Sequence, residues 1–263
     1  MDWVEVNGTA LRYNVTGAGP GTLVLVHEMG GTLESWDHVV PALARGRRVL
    51  RYDTRGAGQS EKIRGAVTFD VMTADLLALL DALGIAGRVT LAGCAVGGGI
   101  VLHAAARYPE CVAALVAMAP ATGVPAERRA ATIARAEAME RLGPAGVVEE
   151  SFAASYPPEV RHDPEQYRRF RARWLANDPE SYGAIYRMLA EARIEEEFGG
   201  ISCPALLLAG TKDRLRPPAL VEPLARAMPR ARFEALDTGH FMAVQTPGLV
   251  AEANGEFLAS VGL

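Results

Sequence analysis

Residues 89–99, Val-Thr-Leu-Ala-Gly-Cys-Ala-Val-Gly-Gly-Gly, constrain this chain more than any other stretch. A short apolar run ends in small residues and passes into an alanine-rich pattern of helical period over residues 96–107. The spacing is small-x-tip-x-small, that of a strained strand-to-helix turn that holds a nucleophile clear of a sheet. Gly93 and Gly97 are the small residues, so the tip is residue 95. Residue 95 is Ala, which has no lone pair with which to attack.

Around this turn the chain alternates. Asn7-Gly8 separates apolar stretches at residues 4–6 and 11–13, a hairpin signal because both turn residues tolerate positive φ. Strands are predicted at 22–27, 48–52, 89–92 and 112–118, with helices at 36–44, 68–83 and 96–107. Thr68 is positioned as an N-cap and Gly84 as a stop. From 124 to 197 only helical patterns occur, clearest at 127–142, 164–176 and 179–193. Strands at 205–209 and 231–236 and helices at 219–227 and 247–260 then resume the alternation. Such a chain folds as α/β: a mostly parallel eight-stranded sheet with helices on both faces. Residues 1–123 and 198–263 form the core, and 124–197 are a helical cap inserted over it.

Composition narrows the function. The 263 residues are 49% apolar and 22% charged, which is ordinary for a globular protein. A net charge of −4 argues against nucleic acid, whose binding needs a basic face. No apolar run reaches the roughly 20 residues that span a bilayer. The N-terminal Met-Asp-Trp-Val-Glu lacks a signal peptide's basic flank and apolar core. Cys94, Cys111 and Cys203 are odd in number and lack metal-ligand spacing, as expected of reduced thiols in a cytoplasmic protein. A small-molecule substrate is the partner this composition suits. Self-association into a homo-oligomer stays open.

Four segments occur in a telling order. His27-Glu28-Met29-Gly30-Gly31 ends one strand, and Tyr52-Asp53-Thr54-Arg55-Gly56-Ala57-Gly58-Gln59-Ser60 follows another. The turn at 93–97 comes third. Gly210-Thr211-Lys212-Asp213 and Asp237-Thr238-Gly239-His240-Phe241 close the set. In this order they resemble the α/β-hydrolase family over the whole chain. Within it, the cap segment Pro179-Glu180-Ser181-Tyr182-Gly183-Ala184 and the final Gly-His are similar to 3-oxoadipate enol-lactonases. The resemblance implies a catalytic set of residue 95, Asp213 and His240, in the chain order nucleophile, acid, histidine. It implies an oxyanion hole built from the backbone N–H groups of Met29 and Val96. It implies neither cofactor nor metal.

The remaining candidates carry two readings each. Cys94 could replace the missing nucleophile, but a tip at 94 would put β-branched Val96 where the turn wants a small residue. Cys94 therefore reads as a packing or substrate-side residue. Glu28 stands where the family carries Gly or another small residue. It could position a water or accept a proton, or it could point away and bond a neighbour such as Arg55. Trp174 reads as packing or as a substrate wall. His27, His38, His103, His162 and Trp36 read as structural, and Asp53 and Arg55 as braces. The arginine-rich run 168–173 reads as a solvated helix face.

Two origins fit Ala95: an introduced Ser→Ala change, or a native alanine. Glu28 and Cys94 are companion departures in the same pocket and favour the native one. The expected activity is hydrolysis of an ester or enol lactone, with His240 and Asp213 activating water. Two alternatives are a lyase, decarboxylase or isomerase moving protons through His240 and Glu28, and an inactive ligand-binding protein.

Overall fold

The computed structural model describes residues 1–263. Two strands, β1 (Asp2–Val6) and β2 (Thr9–Thr16), form the hairpin, with Asn7 and Gly8 both at positive φ in its turn. Then come β3 (Thr22–Val26), α1 (Val40–Leu43), β4 (Arg48–Tyr52), α2 (Phe69–Ala82), β5 (Val89–Cys94), α3 (Val96–Arg107) and β6 (Val112–Met118). The next stretch is entirely helical: α4 (Arg129–Ser155), α5 (Pro164–Leu175) and α6 (Pro179–Glu191), with short 3-10 turns between. The chain ends with β7 (Ala205–Gly210), α7 (Pro218–Arg226), β8 (Ala231–Leu236), α8 (Met242–Gln245) and α9 (Pro247–Ser260).

The eight strands form one sheet in the order β1-β2-β4-β3-β5-β6-β7-β8. Only β2 runs against the others. Two apolar clusters cover the two faces. One holds Leu76, Leu79, Ile100 and Val101 from α2 and α3. The other holds Val40, Leu43, Val250 and Phe257 from α1 and α9. Strands β5 and β7 are buried along their whole length, which explains their unbroken apolar sequences.

Two elements differ from the sequence reading. Residues 36–44 are not one helix. A 3-10 turn, Leu33–Trp36, precedes the single-turn α1. The helix expected at 127–142 does stop at Gly143, whose φ is 68, but a further helical run that the sequence reading did not assign starts at Pro144 and reaches Ser155. Thr68 does cap α2, its hydroxyl accepting the Val71 amide at 3.2 Å.

The helical stretch carries its own core. Phe152, Tyr156, Phe170 and Trp174 are all almost fully buried and pack with Phe241 from the loop after β8. Phe152 contacts four other aromatic rings of this group at centroid distances of 5.4–6.2 Å. Aromatic packing thus fastens the insert to the loop that carries His240.

Candidate active site

The candidate site lies at the carboxyl ends of the parallel strands, where β3, β5, β7 and β8 each hand over to a loop. At the end of β5, Ala95 sits at φ 50, ψ −113. A non-glycine residue held there costs about 1–3 kcal/mol. Backbone hydrogen bonds fix it. The Ala95 amide donates to Met118 O at 2.8 Å, and its carbonyl accepts from Gly99 N at 3.0 Å and Ala121 N at 2.8 Å. The flanking glycines are steric requirements. A Cβ on Gly93 would lie 2.8 Å from Gly98 N, and one on Gly97 would lie 2.6 Å from His27 O and overlap Val26 O. The strained turn is complete although its tip bears only a methyl group.

Asp213 and His240 come together from the loops after β7 and β8. Asp213 Oδ2 accepts from His240 Nδ1 at 2.7 Å. Asp213 Oδ1 accepts the amides of Leu215 at 2.7 Å and Arg216 at 2.9 Å. Burial alone would raise the Asp213 pKa. The His240 charge and these hydrogen bonds outweigh burial and hold it below the ordinary carboxylate range. With Nδ1 committed to Asp213, His240 Nε2 is left as the free ring nitrogen and makes no hydrogen bond within the protein. An acid thus orients a base whose other nitrogen is free to take a proton.

The Met29 and Val96 amides find no acceptor in the protein. Val96 is the first residue of α3, where no intrahelical partner exists. His27, 2% exposed, stiffens the other side. Its Nε2 accepts the Thr54 amide at 3.0 Å and its Nδ1 donates to Glu28 O at 2.7 Å. A cavity of about 30 Å³ lies against Met29 and Val96 and is roofed by Ser181, Tyr182 and Ile185 of α6. That is room for about one water molecule.

Three candidates are placed differently from the substrate-side reading. Glu28 folds back beneath its own loop, is 1% exposed, and accepts the Ser35 hydroxyl at 2.6 Å. Its second oxygen has no partner, and Gly31 is required because a Cβ there would run into the carboxylate. Arg55 is not its partner but forks onto Asp75 at 2.8 and 2.6 Å. Cys94 is fully buried, its thiol directed at His240 O at 3.5 Å. Burial and the neighbouring Glu28 carboxylate push that thiol well above its ordinary range. Trp174 is fully buried in the aromatic core of the insert and presses on Gly30, where a Cβ would meet its indole at 2.5 Å. Its indole packs against the loop of residues 28–31.

Asp53 braces the loops. It accepts the Leu33 and Gln59 amides at 2.8 Å each and pairs with Arg12 at 3.1 Å. Sequence reasoning missed Ser35 and Asn177. Asn177 donates to Gly30 O at 3.1 Å and so holds the same loop from the insert. No local signal marks either residue: Asn177 acts on a segment 147 residues away, and Ser35 reaches back seven residues across an irregular loop. No group of three or more His, Cys, Asp or Glu side chains is placed to hold a metal ion.

A family model described as the alpha/beta hydrolase fold matches residues 21–247. The RutD protein of Stutzerimonas stutzeri (strain A1501) is 32% identical over 223 residues, which are 83% of this chain and 83% of RutD. The solved structure of a thermophilic esterase from Thermogutta terrifontis is 28% identical, with a TM-score of 0.92 over 99% of both chains. The enol-lactonase from Burkholderia xenovorans LB400 is also 28% identical, with a TM-score of 0.91 over 98% of this chain and all of the other. By sequence and by structure, this chain belongs to the alpha/beta hydrolase fold family.

Proposed function

We propose that the protein hydrolyses a small ester or enol lactone without a covalent intermediate, using water activated by His240. One observation carries the reading. The Asp213–His240 pair is assembled at 2.7 Å, and two uncommitted amides accompany a strained tip that no longer bears a hydroxyl. A pure binding site has no use for an oriented base. The esterase and enol-lactonase among the similar structures support the substrate class.

In this reading Nε2 of His240 takes a proton from water as the oxygen adds to the ester carbonyl carbon. Asp213 stabilises the imidazolium that forms. The carbonyl oxygen becomes an oxyanion and accepts from the Met29 and Val96 amides, each worth on the order of 10²-fold in rate. Collapse of the tetrahedral centre breaks the bond to the leaving alkoxide, which takes the proton back from His240. An ester gives an acid and an alcohol, and an enol lactone gives one ring-opened molecule bearing the acid and an enol. The helical insert acts as a cap: Ser181, Tyr182 and Ile185 roof the donors, and α6 must shift to admit substrate. The hydrogen bond from Ser35 to the buried Glu28 carboxylate favours this reading over proton transfer through Glu28.

The test compares the protein with Ala95→Ser and His240→Ala on activated esters, enol lactones and carbamates. Turnover by the native chain that is lost in His240→Ala supports the reading. Turnover only after Ala95→Ser, on the order of 10³-fold above the native chain, shows a site disabled at its tip. Ligand binding without turnover in either form shows a binding protein.

A further inference from the structure

A second and much roomier cavity lies away from the Met29 and Val96 amides. It measures about 720 Å³, within the range of small-molecule sites, and lies between α6 on one side and α2 and α3 on the other. Met29, Ala95, Val96, Asp213 and His240 do not line it. Its wall toward the oxyanion loop is pinned where the Ile63 amide donates to Ser181 Oγ at 2.9 Å. Ser181 and Ile185 face the small cavity, whereas Ala184 and Met188 of the same helix face the large one.

The lining has two parts. Ile63, Val67, Phe69, Ala184, Met188 and Ile194 supply apolar walls. Most charged groups at the rim already pair with an opposite charge. Glu140 pairs with Arg187, and Glu197 with Arg107 at 3.2 Å. Glu180 pairs with Arg64 at 3.1 Å, and Glu191 with Arg129. His103, 4% exposed, stands between Asp70 at 3.1 Å and Glu197 at 3.4 Å. Arg193 has no carboxylate partner, but its guanidinium donates to the carbonyls of Ala192 at 2.5 Å and Val124 at 3.5 Å. A charged ligand would have to lose its own hydration and displace one of these pairs or, for an anion, the carbonyl contacts of Arg193. An uncharged ligand needs only to cover the apolar wall.

We infer that this cavity is a second small-molecule site, for an uncharged and largely apolar ligand, on the far side of α6 from the Met29 and Val96 amides. The site stands whatever reaction the catalytic residues perform.

Three probes of one shape test it on the native chain: neutral 2-methoxynaphthalene, anionic 2-naphthoate and cationic 2-naphthylmethylammonium. Binding is read by fluorescence, and location by the imidazole NMR resonances of His103 and His240. The expected result is saturable one-to-one binding of the neutral probe that moves the His103 resonance and leaves that of His240 in place. Both charged probes should bind at least tenfold more weakly. Met188→Trp and Ala184→Trp each fill the cavity and should abolish binding wherever the variant folds. No saturable binding overturns the inference. So does movement of His240 in place of His103, or a charged probe that binds as tightly as the neutral one.

Discussion

A single methyl group added at Gly97 tests whether the turn at 93–97 is held by close backbone approach. The new carbon would overlap Val26 O and lie 2.6 Å from His27 O. Ordinary contact begins at 3.4 Å, so α3 must move away from β3 by roughly 0.8 Å to clear even the His27 oxygen. Both obstacles are backbone atoms at the end of a central strand and cannot rotate aside. Overpacking costs about 1–3 kcal/mol, and more when the backbone must shift. Better helix propensity returns about 1 kcal/mol. Taking the upper end of that cost, the net expectation is a loss of about 2 kcal/mol, or a melting temperature lower by roughly 4–8 °C for a chain of this size. The displaced helix also carries the Val96 amide, so any activity should fall on the order of 10²-fold. Two controls make the same chemical change elsewhere. At Gly98 the added carbon sits 3.0 Å from Pro120 Cα, and stability should change by less than about 1 kcal/mol. At Gly255 on α9 nothing lies within 4 Å, and alanine should stabilise by about 0.5–1 kcal/mol. Thermal and urea melts of the three variants give the comparison. Equal shifts for all three would refute the claim that backbone contact fixes Gly97.

Asp213→Asn should destabilise the protein near neutral pH, with a deficit that depends on acidity. The folded Asp213 pKa is depressed, so its contribution is fully present above the unfolded value of about 3.9 and is lost as pH falls through the folded value. Urea melts from pH 7 down to 3 should show the two proteins converging; a constant gap would count against the pairing. Phe152→Ala empties the centre of the aromatic core of the insert and should cost about 3–5 kcal/mol, read as an earlier thermal transition. Thr68→Ala removes one cap from α2 and should cost about 1 kcal/mol by the same assay.

The sequence carried the framework because the framework is local. Asn7-Gly8, the buried runs of β5 and β7, and the Thr68 cap each write their structure in a few adjacent residues. Gly93 and Gly97 were legible for the same reason: their spacing alone locates the tip. Partnerships across the chain were not legible. Glu28 and Ser35 are seven residues apart, Arg55 and Asp75 twenty, and Asn177 meets Gly30 from 147 residues away. A carboxylate in an oxyanion loop has several neighbours of the right chemistry, and only the fold decides among them. The stop at Gly143 was legible, since glycine favours the end of a helix, whereas the helical run from Pro144 to Ser155 was not assigned. The large cavity lay beyond sequence reasoning altogether, because its walls come from α2, α3 and the insert.

The strain at Ala95 is the most consequential detail of the site. A turn that existed only to present a hydroxyl would gain about 1–3 kcal/mol by relaxing once that hydroxyl was absent. It does not relax here, because three backbone hydrogen bonds and two glycine contacts impose the conformation from outside the residue. The same conformation sets where α3 begins and therefore where the Val96 amide points. A tip without a hydroxyl thus leaves the Met29 and Val96 amides and the Asp213–His240 pair in place, since none of them draws its position from the side chain at 95. The nucleophile is separable from the rest of the machinery by one atom. That is why exchanging the one residue, Ala95→Ser, can distinguish water attack from a disabled tip without disturbing the fold.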